Sequence, residues 1–163
     1  MKEEQATTKA FQDYYEERVS YCYGCGRLNE QGLQIKSYWE GDEAVCRYTP
    51  RPEHMAIPGY VYGGLIASLI DCHSTGTAAA AAYRAAGRPM GSEPPLRYVT
   101  ASLHVDYLRP TPLGPELKIR SRVEEVKERK VVVTSTLYAG GEACARGKAV
   151  LVRMPDHWLD ETD

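Results

Sequence analysis

Little in this 163-residue chain favours a polyanionic partner: 20 Lys and Arg stand against 22 Asp and Glu, leaving a formal charge of −2. No basic block breaks that balance, so a run of phosphates would find nothing to neutralise it, and nucleic acid is not an expected partner. Five cysteines are too few for a disulfide scaffold, and the odd count fits thiols kept reduced. The opening residues, MKEEQATTKAFQDYYEERV, contain no apolar stretch of the export-signal kind, which makes a cytoplasmic location the expectation. The chain also lacks an internal repeat and any linker long enough to divide domains. Its length suits one domain, which typically buries roughly 70% of its unfolded surface.

Charge is scarcest in the middle. Between Met55 and Tyr83 the only residue charged at neutral pH is Asp71, and His73 is the only other group there that titrates near neutrality. Pro58, Gly59, Gly63, Gly64, Asp71, Ser74 and Gly76 interrupt this stretch too often for about 20 continuous apolar residues, so a membrane span is excluded. A buried central helix remains, running from about Gly63 to Ala86 and closed by Gly87 with Pro89 just beyond. The alanines from Ala78 to Ala82 combine high helix propensity with small volume, which lets another element approach closely.

Around this helix the pattern is mostly that of strands. Thr7 or Thr8 can cap a short helix through Val19, with Phe11, Tyr14, Tyr15 and Arg18 on one side. Residues 20–33, rich in glycine and turn formers, read as an ordered loop. Leu33 to Trp39 and Ala44 to Thr49 form a hairpin across Gly41-Asp42. A loop from Arg88 to Leu96 follows the helix. Then come four strands: Val99 to Leu108, Leu117 to Val126, Val131 to Tyr138 and Glu142 to Arg153. Taken in succession they imply an antiparallel meander. In the first of them Val99, Ala101, Leu103, Val105 and Tyr107 alternate with Thr100, Ser102, His104 and Asp106, which puts Thr100 and His104 on one polar face. The fold class is α+β, an antiparallel sheet wrapped around a long central helix, with an acidic tail from Asp156 to Asp163 expected to fray.

At 100° per residue, Leu65, Ile66, Leu69, Ile70 and Ala80 share the arc that contacts the sheet. Asp71 lies on the other side among Gly64, Ala67, Ser68, Ser74, Thr75 and Ala78, all small or hydroxylated. That leaves room beside a carboxylate for a substrate, with Thr75 as a contact. The alternative is a structural aspartate bonded to a Ser or Thr one turn away. The helix start supplies an electrophile, because the amides of Gly63 and Gly64 have no intrahelical partner and carry partial positive charge. Asp71 sits seven to eight residues further on, about 10 to 12 Å along the axis. One subunit cannot bring both to one carbonyl. If both act on one bond, two helices lie antiparallel across a dimer axis, the amides of one facing the acid of the other.

Three segments carry a resemblance: Cys-Tyr-Gly-Cys-Gly-Arg-Leu-Asn-Glu-Gln-Gly-Leu at 22–33, Pro-Gly-Tyr-Val-Tyr-Gly-Gly-Leu-Ile-Ala-Ser-Leu-Ile-Asp at 58–71, and Thr-Ala-Ser-Leu-His-Val-Asp-Tyr-Leu-Arg-Pro at 100–110. In order and spacing they resemble the hotdog-fold acyl-CoA thioesterases, in particular the PaaI-like, phenylacetate-pathway branch. The resemblance covers the chain from Cys22 to about Met154, and the expected organisation is an N-terminal helical appendage over 1–19, a single hotdog domain over 20–155 and a C-terminal tail over 156–163. It implies Asp71 as general base or nucleophile, Thr100 as the hydroxyl that orients the water or carboxylate, and a Gly63 or Gly64 amide polarising the thioester carbonyl. The expected substrate is an acyl-CoA and the expected assembly a homo-oligomer, a dimer or a dimer of dimers, without metal or redox cofactor. Tyr62 departs from the family, which has His there. The 28 residues between Asp71 and Thr100 are also longer than usual, so the end of the helix and its loop are expected to reshape the acyl pocket.

The remaining candidates are weaker. Cys22 and Cys25 have half the spacing of a zinc site, but Cys46, Cys72 and Cys144 are scattered in sequence, so no metal is expected. Cys72 and His73 point about 100° apart on the helix, which makes a thiol–imidazole pair impossible and a core or interface role the expectation. His54 precedes the helix and could border the pocket, and Arg109 could meet a coenzyme A phosphate. The rival function is a non-catalytic acyl-CoA or lipid-binding module in which Asp71 is structural. A hydratase is disfavoured, since no His–Asp or His–Glu pair has the spacing that chemistry needs.

Overall fold

The structure, a computed structural model, describes residues 9–160. Strands β1 (Ser37–Glu40) and β2 (Glu43–Tyr48) form the first hairpin, helix α1 (Gly63–Ala85) follows, and β3 (Tyr98–Tyr107), β4 (Leu117–Val126), β5 (Lys130–Ala139) and β6 (Glu142–Arg153) complete the chain. They build one six-stranded antiparallel sheet in the order β1-β2-β4-β5-β6-β3, with α1 packed on one face, which is the α+β arrangement expected. No helix among the described residues is long and apolar enough to cross a membrane.

Lack of charge in α1 follows from where it lies. Leu65, Ile66, Leu69 and Ile70 are at most 2% exposed, and each contributes roughly 1.5–3 kcal/mol by leaving water. They pack against Ile119, Leu137 and Ala145 of the sheet. A side chain at Gly147 would lie 2.5 Å from Ile70 Cγ2, so at this position β6 can lie this close to the helix only because it carries glycine. Further along, Ala78, Ala79 and Ala82 meet Val131, Val133, Ala149 and Leu151, and Ala80 meets Phe11 and Ala44. Ser74 and Ala78, expected on the open side with Asp71, are fully buried instead. The helix ends as expected: Gly87 has φ 65°, its N–H donates to Arg84 O, and Arg88 N–H donates to Tyr83 O, the paired bonds of a Schellman cap.

Several expectations need correction, first at the N-terminus. The N-terminal helix is two short 3-10 turns, Phe11–Tyr14 and Glu17–Val19, because the backbone is extended at Tyr15 and Glu16. Thr7 and Thr8 lie outside the described residues. What holds this segment is burial: Phe11 packs edge-on to Trp39 at 5.2 Å, while Gln12 bonds both the N–H and the hydroxyl of Ser37. Second, β1 starts at Ser37 and not Leu33, since Gln34 sits at φ 58° and its side-chain amide donates to Gly26 O and Asn29 O, closing the preceding loop. Third, β4, β5 and β6 form a meander but β3 does not join it at β4. The proline-rich link after β3 cannot make a tight hairpin, and β3 pairs with β6 at the far edge. Fourth, β3 contains a bulge at Ala101, where the register steps from Thr100 opposite Leu151 to Ser102 opposite Val150. One extra residue reverses the alternation. Thr100 therefore shares the helix-facing side with Tyr98, Leu103 and Tyr107, while His104 and Asp106 line the outer face with Arg120, Arg146 and Lys148. At the C-terminus, Asp156–Leu159 form a 3-10 turn where fraying was expected.

Candidate active site

Thr100 can meet Asp71 only because of that bulge. Its hydroxyl donates to Asp71 Oδ1 at 2.5 Å, and its oxygen lies 3.2 Å from Thr75 Oγ1, one turn further along α1. Thr75 also lies 3.1 Å from the Asp71 carbonyl oxygen. Asp71 Oδ2 has no hydrogen-bond donor among the described residues. A carboxylate fixed through one oxygen and open at the other is suited to accept a proton or to attack an electrophile.

This trio opens on a cleft of about 640 Å³, a size typical of small-molecule sites. Its wall is mostly apolar and comes from three places. The N-terminal turns supply Tyr14, Tyr15 and Val19; α1 supplies Ala79 and Tyr83; the long loop and the start of β3 supply Met90, Leu96 and Tyr98. The segment between Asp71 and Thr100 thus lines much of this cleft. The N-terminal segment was expected only to pack, yet it forms a wall, held by an ion pair between Glu16 and Arg97.

Sequence reasoning missed a third group on the same wall. Cys22 and Cys25 meet Cys72, and the three sulfurs all lie within 4.8 Å of one another, with Cys22 to Cys72 at 3.8 Å. Cys72, taken as scattered, is brought there because residue 72 of α1 faces the 22–25 turn. No spacing rule could have joined residues 50 apart in the chain. Hydrogen bonds from the Cys25 and Cys72 thiols, then from the backbone N–H groups of Cys25 and Gly24, hold the Cys22 thiol well below the usual range. Donation to Cys22 pushes Cys25 and Cys72 up, and burial adds to both. Burial, then the nearby sulfurs, raises the Tyr15 phenol. His73, by contrast, faces away into the core. It is fully buried, with Nδ1 2.8 Å from Ser37 Oγ, and burial lowers its pKa to about 4, opposed by the Ala44 carbonyl.

The other candidates gather around the start of α1. Tyr107 donates to Gly63 O at 2.8 Å, and the Tyr62 ring folds over Gly64 so closely that a Cβ there would lie 2.2 Å from the phenol oxygen. Gly63, Tyr107 and Arg109 line a separate groove, and Arg109 is ion-paired to Glu142. His54 does not line the cleft. Its Nδ1 accepts the Arg51 N–H at 3.0 Å and its carbonyl accepts the Tyr62 N–H at 2.9 Å, so it holds the turn ahead of α1. Burial, and next the Arg51 charge, lower its pKa.

A sheet wrapped on an apolar helix, with a carboxylate in mid-helix and glycines at its start, defines a hotdog protein. The thioesterase superfamily model matches residues 58–145, more than half of the chain, which belongs to that superfamily. Over 87 residues it is 41% identical to acyl-coenzyme A thioesterase THEM4 of Xenopus laevis; the match covers 53% of this chain and 33% of that protein. The chain thus spans about a third of the length of that curated relative. The crystal structure of a thioesterase superfamily protein from Shewanella loihica PV-4 is 47% identical, covering 86% of this chain and all of that one, with a TM-score of 0.66. The Escherichia coli PaaI protein is 18% identical, covering 76% and 81%, with a TM-score of 0.61. That likeness shows the fold alone, so the PaaI branch expected from the sequence is not established, and the curated resemblance lies with THEM4.

Proposed function

We propose that this chain hydrolyses acyl-CoA thioesters, with Asp71 as general base or nucleophile. The observation that carries the reading is the Thr100 hydroxyl fixing one Asp71 oxygen on the wall of an apolar cleft, in a member of the thioesterase superfamily. As a base, the free oxygen takes a proton from water while the new hydroxide oxygen bonds to the carbonyl carbon. Collapse of the tetrahedral intermediate breaks the carbon–sulfur bond, and the departing CoA sulfur takes up a proton. Thr75, its hydroxyl donating to the Asp71 carbonyl and lying 3.2 Å from the Thr100 oxygen, flanks the pair and borders the acyl group.

Carbonyl polarisation falls to the Gly63 and Gly64 amides of a second copy. Two observations support a second copy. The β3 edge presents ten residues with no strand beyond them among the described residues. Around the start of α1, Met55, Ile57, Tyr60, Tyr62, Tyr107 and Leu108 are all at least 43% exposed, a run of apolar surface of the kind that marks an interface. In this assembly Tyr62 borders the thioester, while Arg109 reaches a coenzyme A phosphate only by leaving Glu142. His54 keeps its place in the turn and is not assigned to substrate. The test is turnover of an acyl-CoA panel, aliphatic and aromatic, read as released free CoA. Turnover of at least one member supports hydrolysis; binding without release of CoA across the whole panel points to the non-catalytic module.

A further inference from the structure

The three cysteines on the cleft wall belong to no step of the proposed hydrolysis, and their geometry stands apart from it. A zinc ion bound tetrahedrally to thiolates at about 2.3 Å holds its sulfurs about 3.8 Å apart. Cys22 and Cys72 are at that separation, and Cys25 lies within 4.8 Å of both. A disulfide would need the sulfurs to close to about 2.05 Å. We propose that Cys22, Cys25 and Cys72 form a three-thiolate site for a thiophilic divalent cation, zinc being the probe, whose fourth position faces the cleft beside Asp71.

The surrounding backbone is built for such a site. Residues 22–25 form a turn closed by Gly26 N–H to Cys22 O at 2.8 Å, and it is laddered to the next segment by Leu33 N–H to Tyr23 O and Ile35 N–H to Gly24 O. Cys72 comes from α1, so the cation would tie the loop to the helix one residue from Asp71. Gly24 is what admits it: a Cβ at residue 24 would lie 2.3 Å from Cys72 Sγ. Cys22 is exposed and gives the ion a way in, while Cys25 and Cys72 are buried. The Tyr15 hydroxyl is buried without a hydrogen-bond partner on the same wall, and can complete the shell through a bound water. The three ligands grouped here among the described residues are all thiolates, a set that selects soft or borderline ions over magnesium or calcium.

The test uses the full chain, purified under a non-chelating reductant and titrated with zinc. About one zinc per chain is expected, and the cobalt-substituted protein should show thiolate-to-cobalt charge transfer with the strong visible bands of a tetrahedral centre. Cys22→Ser, Cys25→Ser and Cys72→Ser should each weaken zinc binding in a chelator competition by about 100-fold or more, since loss of outer-shell partners alone costs 10–100-fold. Cys144→Ala, elsewhere in the core, should bind as the parent does. The cobalt spectrum needs no variant, so a misfolded substitution leaves the test intact. Zinc below about a tenth of an equivalent in the parent, or parent-like uptake by the triple variant, would overturn the proposal. So would recovery of a Cys22–Cys72 disulfide from protein that takes up no zinc, which would assign the cluster to redox chemistry. None of these readouts depends on thioester turnover.

Discussion

The middle of α1 and its beginning are one helix serving two unlike purposes. In the middle, Asp71, Thr75 and Thr100 are joined by hydrogen bonds and line a mostly apolar cleft, so this half of the proposed site lies within one chain. At the beginning, Gly63 and Gly64 lie among exposed aromatic and aliphatic side chains, about 10 to 12 Å from the acid along the axis. The helix dipole and the orphan amides belong to the start; the sheet's concave face belongs to the middle. A single helix cannot aim both at one carbonyl, which is why the proposed reaction needs two.

The comparison can be broken most severely at the acid. Asp71→Asn is nearly isosteric and should lower turnover by about 100-fold or more with the fold intact, because a positioned base typically contributes two to four decades. Unchanged turnover in a folded variant would return Asp71 to the structural role.

His73, two residues on, should separate loss of fold from loss of chemistry. The folded chain keeps it neutral down to about pH 4, whereas the unfolded chain binds a proton below about 6.5. The unfolded state therefore binds more protons in that window, and stability present at pH 7 is lost as pH falls from about 6.5 to 4, by up to roughly 3 kcal/mol. The lowered His54 acts in the same direction. Urea midpoints at pH 7 and pH 5 check this; a flat profile would contradict a neutral buried His73.

A smaller effect tests whether the two halves come from different chains. Gly63→Pro removes one amide at a position where proline is tolerated, and Tyr62 before it is already extended at φ −71° and ψ 140°. Alone it should be slow. Mixed and refolded with Asp71→Asn in equal amounts, random pairing makes half the dimers hybrids, each with one intact site. Activity near a quarter of wild type should follow. A mixture no more active than its parents, with hybrids confirmed by native mass spectrometry, would place both halves in one chain.

The smallest effect is expected at Tyr62. Its phenol stands where the resemblance implies His, and Tyr62→Phe removes only the hydroxyl of a half-exposed side chain that folds over Gly64. Activity should stay within about fivefold, since a neutral hydrogen bond at a wet surface contributes about 1 kcal/mol or less. A loss rivalling Asp71→Asn would make the beginning of the helix as catalytic as its middle.

What the sequence determined by itself is local or periodic. The nearly uncharged helix, its glycine start, its Gly87 stop, the lone acid at residue 71 and the strand count follow from propensity, capping and hydropathy, which act within a few residues. The separation of acid from amides followed from helix rise alone. Tertiary structure decided what depends on partners distant in sequence. The bulge at Ala101 turned Thr100 from the polar face to the acid, and a one-residue slip leaves no mark in an alternating pattern. Pairing with β6 carried β3 to the sheet edge, and the burial of Phe11 and Gln12, not helix propensity, fixed the N-terminal wall. Cys72 reached Cys22 and Cys25 because the helix face and the loop pack together at Gly24. Such juxtapositions arise from packing the whole core at once, and no window of the chain contains both sides of the contact.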